Sequence, residues 1–329
     1  MNLVKKIQEN IFRYKLFERG ARIVIGVSGG PDSVCLLDAL HKLQKKYDLE
    51  LIVAHVNYGL RGKDSEKDEK LVRKLAEKYC LPIEVLKVGK VGKSEDQLRI
   101  IRYTFFNKVL KKYKADAIAV AHNLNDQAET VLMRLLRGTG LRGLGAIKFS
   151  TRRGPTAQPK RDADEPLLIR PLLNVPRKEI LTYLRINKIP YRIDKTNLGT
   201  DFTRNKIRNR LLPELEKNFN PNIQETLYKF SESASADYDF IARFAKEWLT
   251  ANKILNVSAL NNLHPSIRRE ALRQALEKHN PNLREIESAH IEEILKILKS
   301  NKNKRQQITL KGLKIGRIGD KLVIENNKH

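Results

Sequence analysis

The segment Val27-Ser28-Gly29-Gly30-Pro31-Asp32-Ser33 stands between an apolar run, RIVIGV at 22–27, and the helical pattern VCLLDALHKL. Two glycines let a backbone turn tightly and come close to a ligand, and free N–H groups at a helix start attract phosphate. Ser28 and Ser33 add hydroxyl donors. The loop holds no lysine, so the Walker pattern of the P-loop nucleotidases is absent. Asp32 would put a carboxylate beside the phosphates, an arrangement that calls for a metal ion between them.

Further along, Asp126 and Glu129 lie three apart on one face of a helix expected to open at Asn125. Two carboxylates suit an ammonium group, but acids in a first turn also stabilise a helix end, and spacing alone leaves both readings open. His122 reads either as a strand-end histidine or as part of a site. Arg204 and Arg208, four apart, form either a solvated stripe or an anion contact. Two motifs fail on context. Gly26-Val27-Ser28-Gly29-Gly30 fits the nucleophile elbow of α/β-hydrolases, yet it follows the first strand and leaves no earlier strand for an oxyanion loop. Gly138-Thr139-Gly140-Leu141-Arg142-Gly143 fits the dinucleotide fingerprint but follows a helix, so it reads as a helix stop and a flexible loop.

The elements that must position these groups alternate. Residues 3–18 carry apolar side chains at helical spacing, ended by Gly20. Buried-strand runs follow at Arg22–Val27, Leu51–Val56, Ile83–Val88 and Ala117–Ala121, separated by helical patterns at about 33–46, 65–79, 94–113 and 125–137. Ser94 with Gln97 fits a capping box, Asn125 is a candidate cap for the fourth helix, and Gly138 for its end. This alternation predicts an α/β fold, a parallel twisted sheet with helices on both faces. Ligands collect at the carboxyl ends of such strands, where Ser28–Ser33, His55–Arg61 and His122–Glu129 fall. Residues 148–166 lack any period and read as a long exposed loop. A fifth strand is expected at Leu167–Leu173, with helices at Pro176–Lys188 and Thr203–Asn218. From about 221 the pattern is helical (Asn222–Leu249, His264–His279, Glu285–Ser300) and ends in a short β meander at Gln306–Glu325. The expected boundary lies near 215–222, giving domains 1–216 and 217–329.

With 329 residues, a hydrophobic content of 41 % and ten Tyr and ten Phe, the chain can bury about two domain cores and is not a disordered tail. Its formal net charge is +26, and residues 1–210 hold 44 basic against 23 acidic side chains while 211–329 hold 20 against 15. A solvated surface of the kind found in heat-adapted proteins would spread that charge evenly. Instead, Thr130 to Lys160 carries seven basic residues and no acid, which favours phosphate contacts with a polyanionic partner. Only two cysteines, Cys35 and Cys80, exclude a zinc cluster or a disulfide framework and fit a reduced compartment. The first residues lack an apolar signal core, and no stretch approaches the roughly 18 apolar residues of a membrane span, so the expected location is cytoplasmic with no membrane partner.

Further segments join the glycine turn: Ala54–Arg61 (AHVNYGLR), Arg99–Tyr103 (RIIRY), Asn125–Thr130 (NDQAET) followed by Arg134 and Arg137-Gly138, Arg170-Pro171-Leu172, Asp194 with Thr196-Asn197, and Arg204–Arg208 (RNKIR). With SGGPDS, these make the chain resemble the PP-loop ATPases, which split ATP between its α- and β-phosphates and pass AMP to a substrate oxygen. Within that superfamily it is similar to the tRNA(Ile)-lysidine synthases, which attach free L-lysine to the wobble cytidine of a CAU anticodon through an adenylated cytidine. The likeness covers about 22–213. Tyr58 and Asn125 stand where the family has His and Asp, so neither is given a catalytic role, and the C-terminal part is short for the family.

The resemblance implies ATP and Mg2+ as cofactors and tRNA(Ile) and free lysine as partners. Ser28, Gly29, Gly30, Pro31 and Ser33 would hold phosphates and Asp32 the metal. Ala54 and His55 would face the adenine, with His122 in the same nucleotide site. Arg61, Arg99 and Arg102 would neutralise charge at the reacting phosphorus. Asp126, Glu129 and Arg204 would take lysine, while Arg137, Arg142, Arg152, Arg153 and Arg208 would meet tRNA. A homodimer is among the assemblies left open. Two alternatives stand beside this one. A tRNA thiolase also adenylates a base but normally needs more cysteine, and a basic tRNA-binding protein would lack the chemistry.

Overall fold

A computed structural model describes residues 2–89, 94–152, 167–193, 203–279, 288–299, 306–310 and 312–326. Two compact units divide the chain, 1–138 with 146–231 and 139–145 with 232–329. The division therefore falls inside a long helix, between Ser231 and Glu232, where the sequence pattern pointed to 215–222.

In the first unit, β1 (Arg22–Gly26), β2 (Glu50–Asn57), β3 (Ile83–Lys87), β4 (Ala117–Ala119), β5 (Ser150–Arg152) and β6 (Leu167–Ile169) form one sheet in the order β3-β2-β1-β4-β6-β5. All neighbours are parallel except β5 with β6. Alternation along β1 sorts the core into two layers. Ile23 and Ile25 face α1 (Leu3–Arg13), α2 (Pro31–Tyr47) and α7 (Arg177–Ile186), whereas Val24 packs with Phe106 and Val109 of α4 (Glu95–Tyr113). Full burial of side chains such as Ile7, Ile23 and Leu36 stabilises the unit by about 1.5–3 kcal/mol each. Because chain order reverses on either side of β1, the switch point lies between β1 and β4, the place where such sheets collect ligands.

Some details depart from expectation. Ser150–Arg152 falls inside the expected loop yet pairs antiparallel with β6, and Arg170 holds the pair from below by donating to Lys148 O at 2.7 Å and Thr151 Oγ1 at 3.3 Å. A three-residue polar edge strand carries no apolar run to announce it. The expected strand at Leu167–Leu173 stops at Ile169, because the chain turns at Arg170 into Pro171. The helix expected at Thr203–Asn218 is three pieces: α8 (Thr203–Lys206), a π-helical turn Ile207–Leu211, and α9 (Leu212–Asn218) with Pro213 in its first turn.

The helix α10 (Ile223–Ala251) ends the first unit and opens the second. In the second unit, α11 (Val257–Asn262), α12 (Pro265–His279) and α13 (Ser288–Lys299) pack Leu260, Leu272, Leu276, Ile291 and Ile294 against Leu313, Ile315, Leu322 and Ile324. Those last four belong to the antiparallel meander β7 (Gln306–Leu310), β8 (Leu313–Ile318) and β9 (Lys321–Asn326), as the alternation at the chain's end predicts. Leu141–Leu144, expected within a flexible loop, forms the short helix α6 of this unit.

Candidate active site

The glycine turn follows β1 directly. Gly29 has φ +90, a conformation that costs a side chain strain, and Gly26 sits where a Cβ would come 2.7 Å from the Phe106 ring. The turn is braced internally: Ser33 Oγ accepts from Ser28 N at 3.1 Å and donates to Gly30 O at 3.0 Å, and Ser28 Oγ accepts from Gly30 N at 3.3 Å. From β2, Ala54 O accepts from Val27 N at 2.9 Å, and His55 Nδ1 donates to Val27 O at 2.8 Å. Burial pushes His55 below the usual histidine range, so it is neutral. Ala54 and His55 thus back the loop.

Asp32, in the first turn of α2, lies at one side of an open cavity of about 510 Å³ whose lining includes Ser28, Gly30, Pro31 and Arg61. Burial pushes its carboxyl up, while Arg177, the Asn123 side chain and Arg208 pull it down. Arg177 Nη1 is 3.4 Å from Oδ2, and Oδ1 is buried with no partner. A buried carboxylate oxygen left unpaired beside a phosphate-type loop is a fitting ligand for Mg2+, which takes one or two carboxylates and completes its shell with phosphate and water.

Across the cavity stands α5 (Leu124–Leu135). Its cap is Asn123, not Asn125: Asn123 Oδ1 accepts from Asp126 N and Asp126 Oδ2 from Asn123 N, both at 3.1 Å. Asn125 also lines the cavity, and its Oδ1 accepts from the N–H of Arg177 at 2.9 Å. The two acids share a pair of arginines. Glu129, 1 % exposed, accepts from Arg204 Nε at 3.0 Å and from Arg208 Nε and Nη2 at 2.5 and 2.9 Å. Asp126 Oδ1 lies 3.3 Å from Arg208 Nη2 and 3.5 Å from Arg204 Nη2. Burial and the neighbouring Glu129 push Asp126 up to about 6 despite these cations. Arg208, expected on tRNA, is turned inward.

A second charge cluster flanks the turn. Asp68, on α3 (Lys63–Lys78) and 5 % exposed, accepts from Arg61 Nη2 and from Arg192 Nε, each at 2.5 Å. Arg192 also donates its N–H to Gly29 O at 3.0 Å. Arg61 and Arg192 therefore reach the cavity wall as aimed cations. Asp68, Arg177 and Arg192 were not singled out from sequence; the dense basic run from Arg177 to Arg210 was the signal that could have found the last two.

Arg99 and Arg102 do not line this cavity. Each guanidinium carbon lies 5.3 Å from the Tyr103 ring centre. Half-buried His122 is held far below its usual range by burial and by the charges of Arg170, Arg102, Arg204 and Arg99, hence neutral. Its Nδ1 is buried without a partner. Of the tRNA candidates, Arg137 and Arg152 are exposed, Arg142 donates to Glu277 Oε1 at 2.6 Å, and Arg153, like Asp194, Thr196 and Asn197, lies outside the described residues.

Comparison with known proteins places the chain in a family. Residues 2–215 match the PP-loop domain model, and residues 255–323 match the TilS substrate binding domain. A tRNA(Ile)-lysidine synthase from Clostridioides difficile is 35 % identical over 339 residues, covering 98 % of this chain and 70 % of that one. The chain belongs to the tRNA(Ile)-lysidine synthase family. Another member, from Clostridium tetani, is 36 % identical over 317 residues, covering 92 % of this chain and 65 % of its own length. The chain thus spans about two thirds of the length of these curated relatives. Among solved structures, the U34-tRNA thiolase NcsA from Methanococcus maripaludis superposes with a TM-score of 0.56 at 21 % identity, covering 70 % of this chain and 76 % of that one, a likeness of fold.

Proposed function

We propose that this family member ligates free lysine to the wobble cytidine of a CAU-anticodon tRNA(Ile), using ATP and releasing pyrophosphate and then AMP. The product would read as isoleucine what the unmodified anticodon reads as methionine. The observation that carries this reading is the placement of a phosphate-type glycine turn and a carboxylate pair, Asp126 with Glu129, on one cavity.

In the first step the cytosine ring carbonyl oxygen attacks the α-phosphorus, and the bond to the β-phosphate breaks. Ser28, Gly29, Gly30 and Ser33 supply backbone and hydroxyl donors to the departing phosphates, Pro31 sets the backbone where the turn enters α2, and Arg61 and Arg192 offset the phosphate charge. Asp32 would hold Mg2+, whose positive charge would help offset that of the phosphates. In the second step the lysine ε-amine attacks the activated ring carbon, AMP leaves, and the amine gives up a proton. Asp126 and Glu129 receive an ammonium of lysine, with Arg204 beside them as part of the same amino-acid site. Arg99, Arg102 and neutral His122 form a cationic patch beside Arg204, suited to the adenylate phosphate or the tRNA backbone. Arg137, Arg142, Arg152 and Arg153 are assigned to tRNA.

The thiolase alternative finds no thiol at the cavity, since neither Cys35 nor exposed Cys80 lines it. Cys35 is fully buried in α2, where burial and Asp32 push its thiol upward, away from the reactive thiolate. No helix among the described residues is long and apolar enough to cross a membrane, and the reading places the enzyme with tRNA and ATP in the cytoplasm. Mass analysis of nucleosides from tRNA incubated with the protein, ATP and labelled lysine tests the proposal. Labelled lysidine is expected; adenylated or sulfur-bearing cytidine without lysine would refute it.

A further inference from the structure

Asp126 and Glu129 are not vacant. Glu129 is buried, and its two oxygens already accept three N–H groups, one from Arg204 Nε at 3.0 Å and two from the fork of Arg208 at 2.5 and 2.9 Å. Asp126 has spent Oδ2 on the N–H of Asn123, and its Oδ1 faces Arg208 Nη2 at 3.3 Å. Two carboxylates meet two guanidiniums, so the cluster is neutral. A further cation entering this low-dielectric corner would find its anions engaged and would have to displace one of the arginines.

The geometry identifies which one. Arg208 lines the cavity together with Asn209 and Leu212, whereas Arg204 is not part of its wall. The Arg208 side chain is 30 % exposed and leaves from the π-helical turn Ile207–Leu211, an irregularity that recurs at functional sites. Asp32, on the phosphate side of the cavity, already feels the charge of Arg208, so a displaced guanidinium has a second anionic neighbourhood to enter.

We infer that Arg208 is a placeholder in the amino-acid site: its guanidinium occupies the Glu129–Asp126 pair until lysine displaces it, and the strength of that fork sets how much lysine the enzyme requires. This rests on the reading that the pair receives lysine. A placeholder reduces apparent affinity by the fraction of molecules in which the site is open. It also turns away amines that cannot outcompete a bidentate guanidinium.

The test is equilibrium binding and steady-state kinetics with L-lysine and, as a shorter amine, L-ornithine, on the full chain, Arg208→Ala and Arg208→Gln. The glutamine keeps side-chain bulk and hydrogen-bonding groups if the alanine fails to fold. Removing the placeholder is expected to lower the lysine Kd and KM by about tenfold, with ornithine binding strengthened at least as much. Unchanged or weakened lysine binding in either folded variant would overturn the inference, because Arg208 would then be a scaffold or a direct lysine contact. Glu129→Gln separates this failure from failure of the underlying site. If that variant binds lysine as the parent does, lysine goes elsewhere and the site reading falls. If it weakens binding while the Arg208 variants do not tighten it, only the placeholder falls.

Discussion

Arg177, the first residue of α7, reaches Asp32, the second residue of α2, with Nη1 3.4 Å from Oδ2. Its own N–H is fixed by Asn125 of α5, so one residue ties the metal-binding candidate to the helix that carries the acid pair. The contact leaves Asp32 Oδ1 unpaired. Replacing Asp32 by Ala should abolish tRNA adenylation and leave tRNA affinity within about twofold, since phosphate contacts elsewhere dominate binding. Filter binding beside a pyrophosphate-release assay checks this, and normal adenylate formation in the variant would remove the metal role.

Asp68 aims Arg61 and Arg192 together. Asp68→Asn should raise the KM for ATP by about tenfold or more and cost about 1–3 kcal/mol of stability, less than a fully buried pair because both arginines are about one-third exposed. Denaturant melts and ATP titrations measure the two effects. A stability loss with an unchanged ATP KM would make Asp68 a purely structural anchor.

On the proposed function, Asp126 should give the lysine step a pH dependence. Held near 6, it is ionised at neutral pH and protonated as pH falls through that value, so lysine KM should rise below pH of about 6 and level off above it. In Asp126→Asn that limb should vanish. The sign for stability is the reverse of the usual carboxylate case: the folded chain keeps a proton that the unfolded chain releases above its ordinary 3.8, so this group costs stability as pH rises from there through about 6.

Salt dependence discriminates among the surface arginines. Arg137→Ala and Arg152→Ala should each reduce the slope of log affinity against log salt by about 0.7–0.9, the share of one phosphate contact. Arg142, engaged by Glu277, should change the slope less. Identical slopes in all three would place the tRNA elsewhere.

The glycine turn was legible because an apolar strand, two glycines and a helical pattern adjoin in sequence. So was the correct cap of α5, had the capping box been applied: Asn123 has Asp126 three residues on, whereas Asn125 has Ala128. The inward turn of Arg208 was not legible, since Arg204 and Arg208 have the same i, i+4 spacing whether they face solvent or a buried glutamate. Arg177, Arg192 and Asp68 reach the cavity through contacts between residues 124 to 145 apart in sequence, which no local pattern encodes. The β5 edge strand escaped notice because three polar residues pair by backbone alone.

On the proposed function, the nucleotide is opened at its innermost phosphorus with tRNA as the acceptor. Incubating the protein with α-labelled ATP, tRNA(Ile) and lysine, and separating the labelled products, tests it most directly. Labelled AMP in step with lysidine is expected, formed only when tRNA and lysine are both present. Labelled ADP with inorganic phosphate would contradict it.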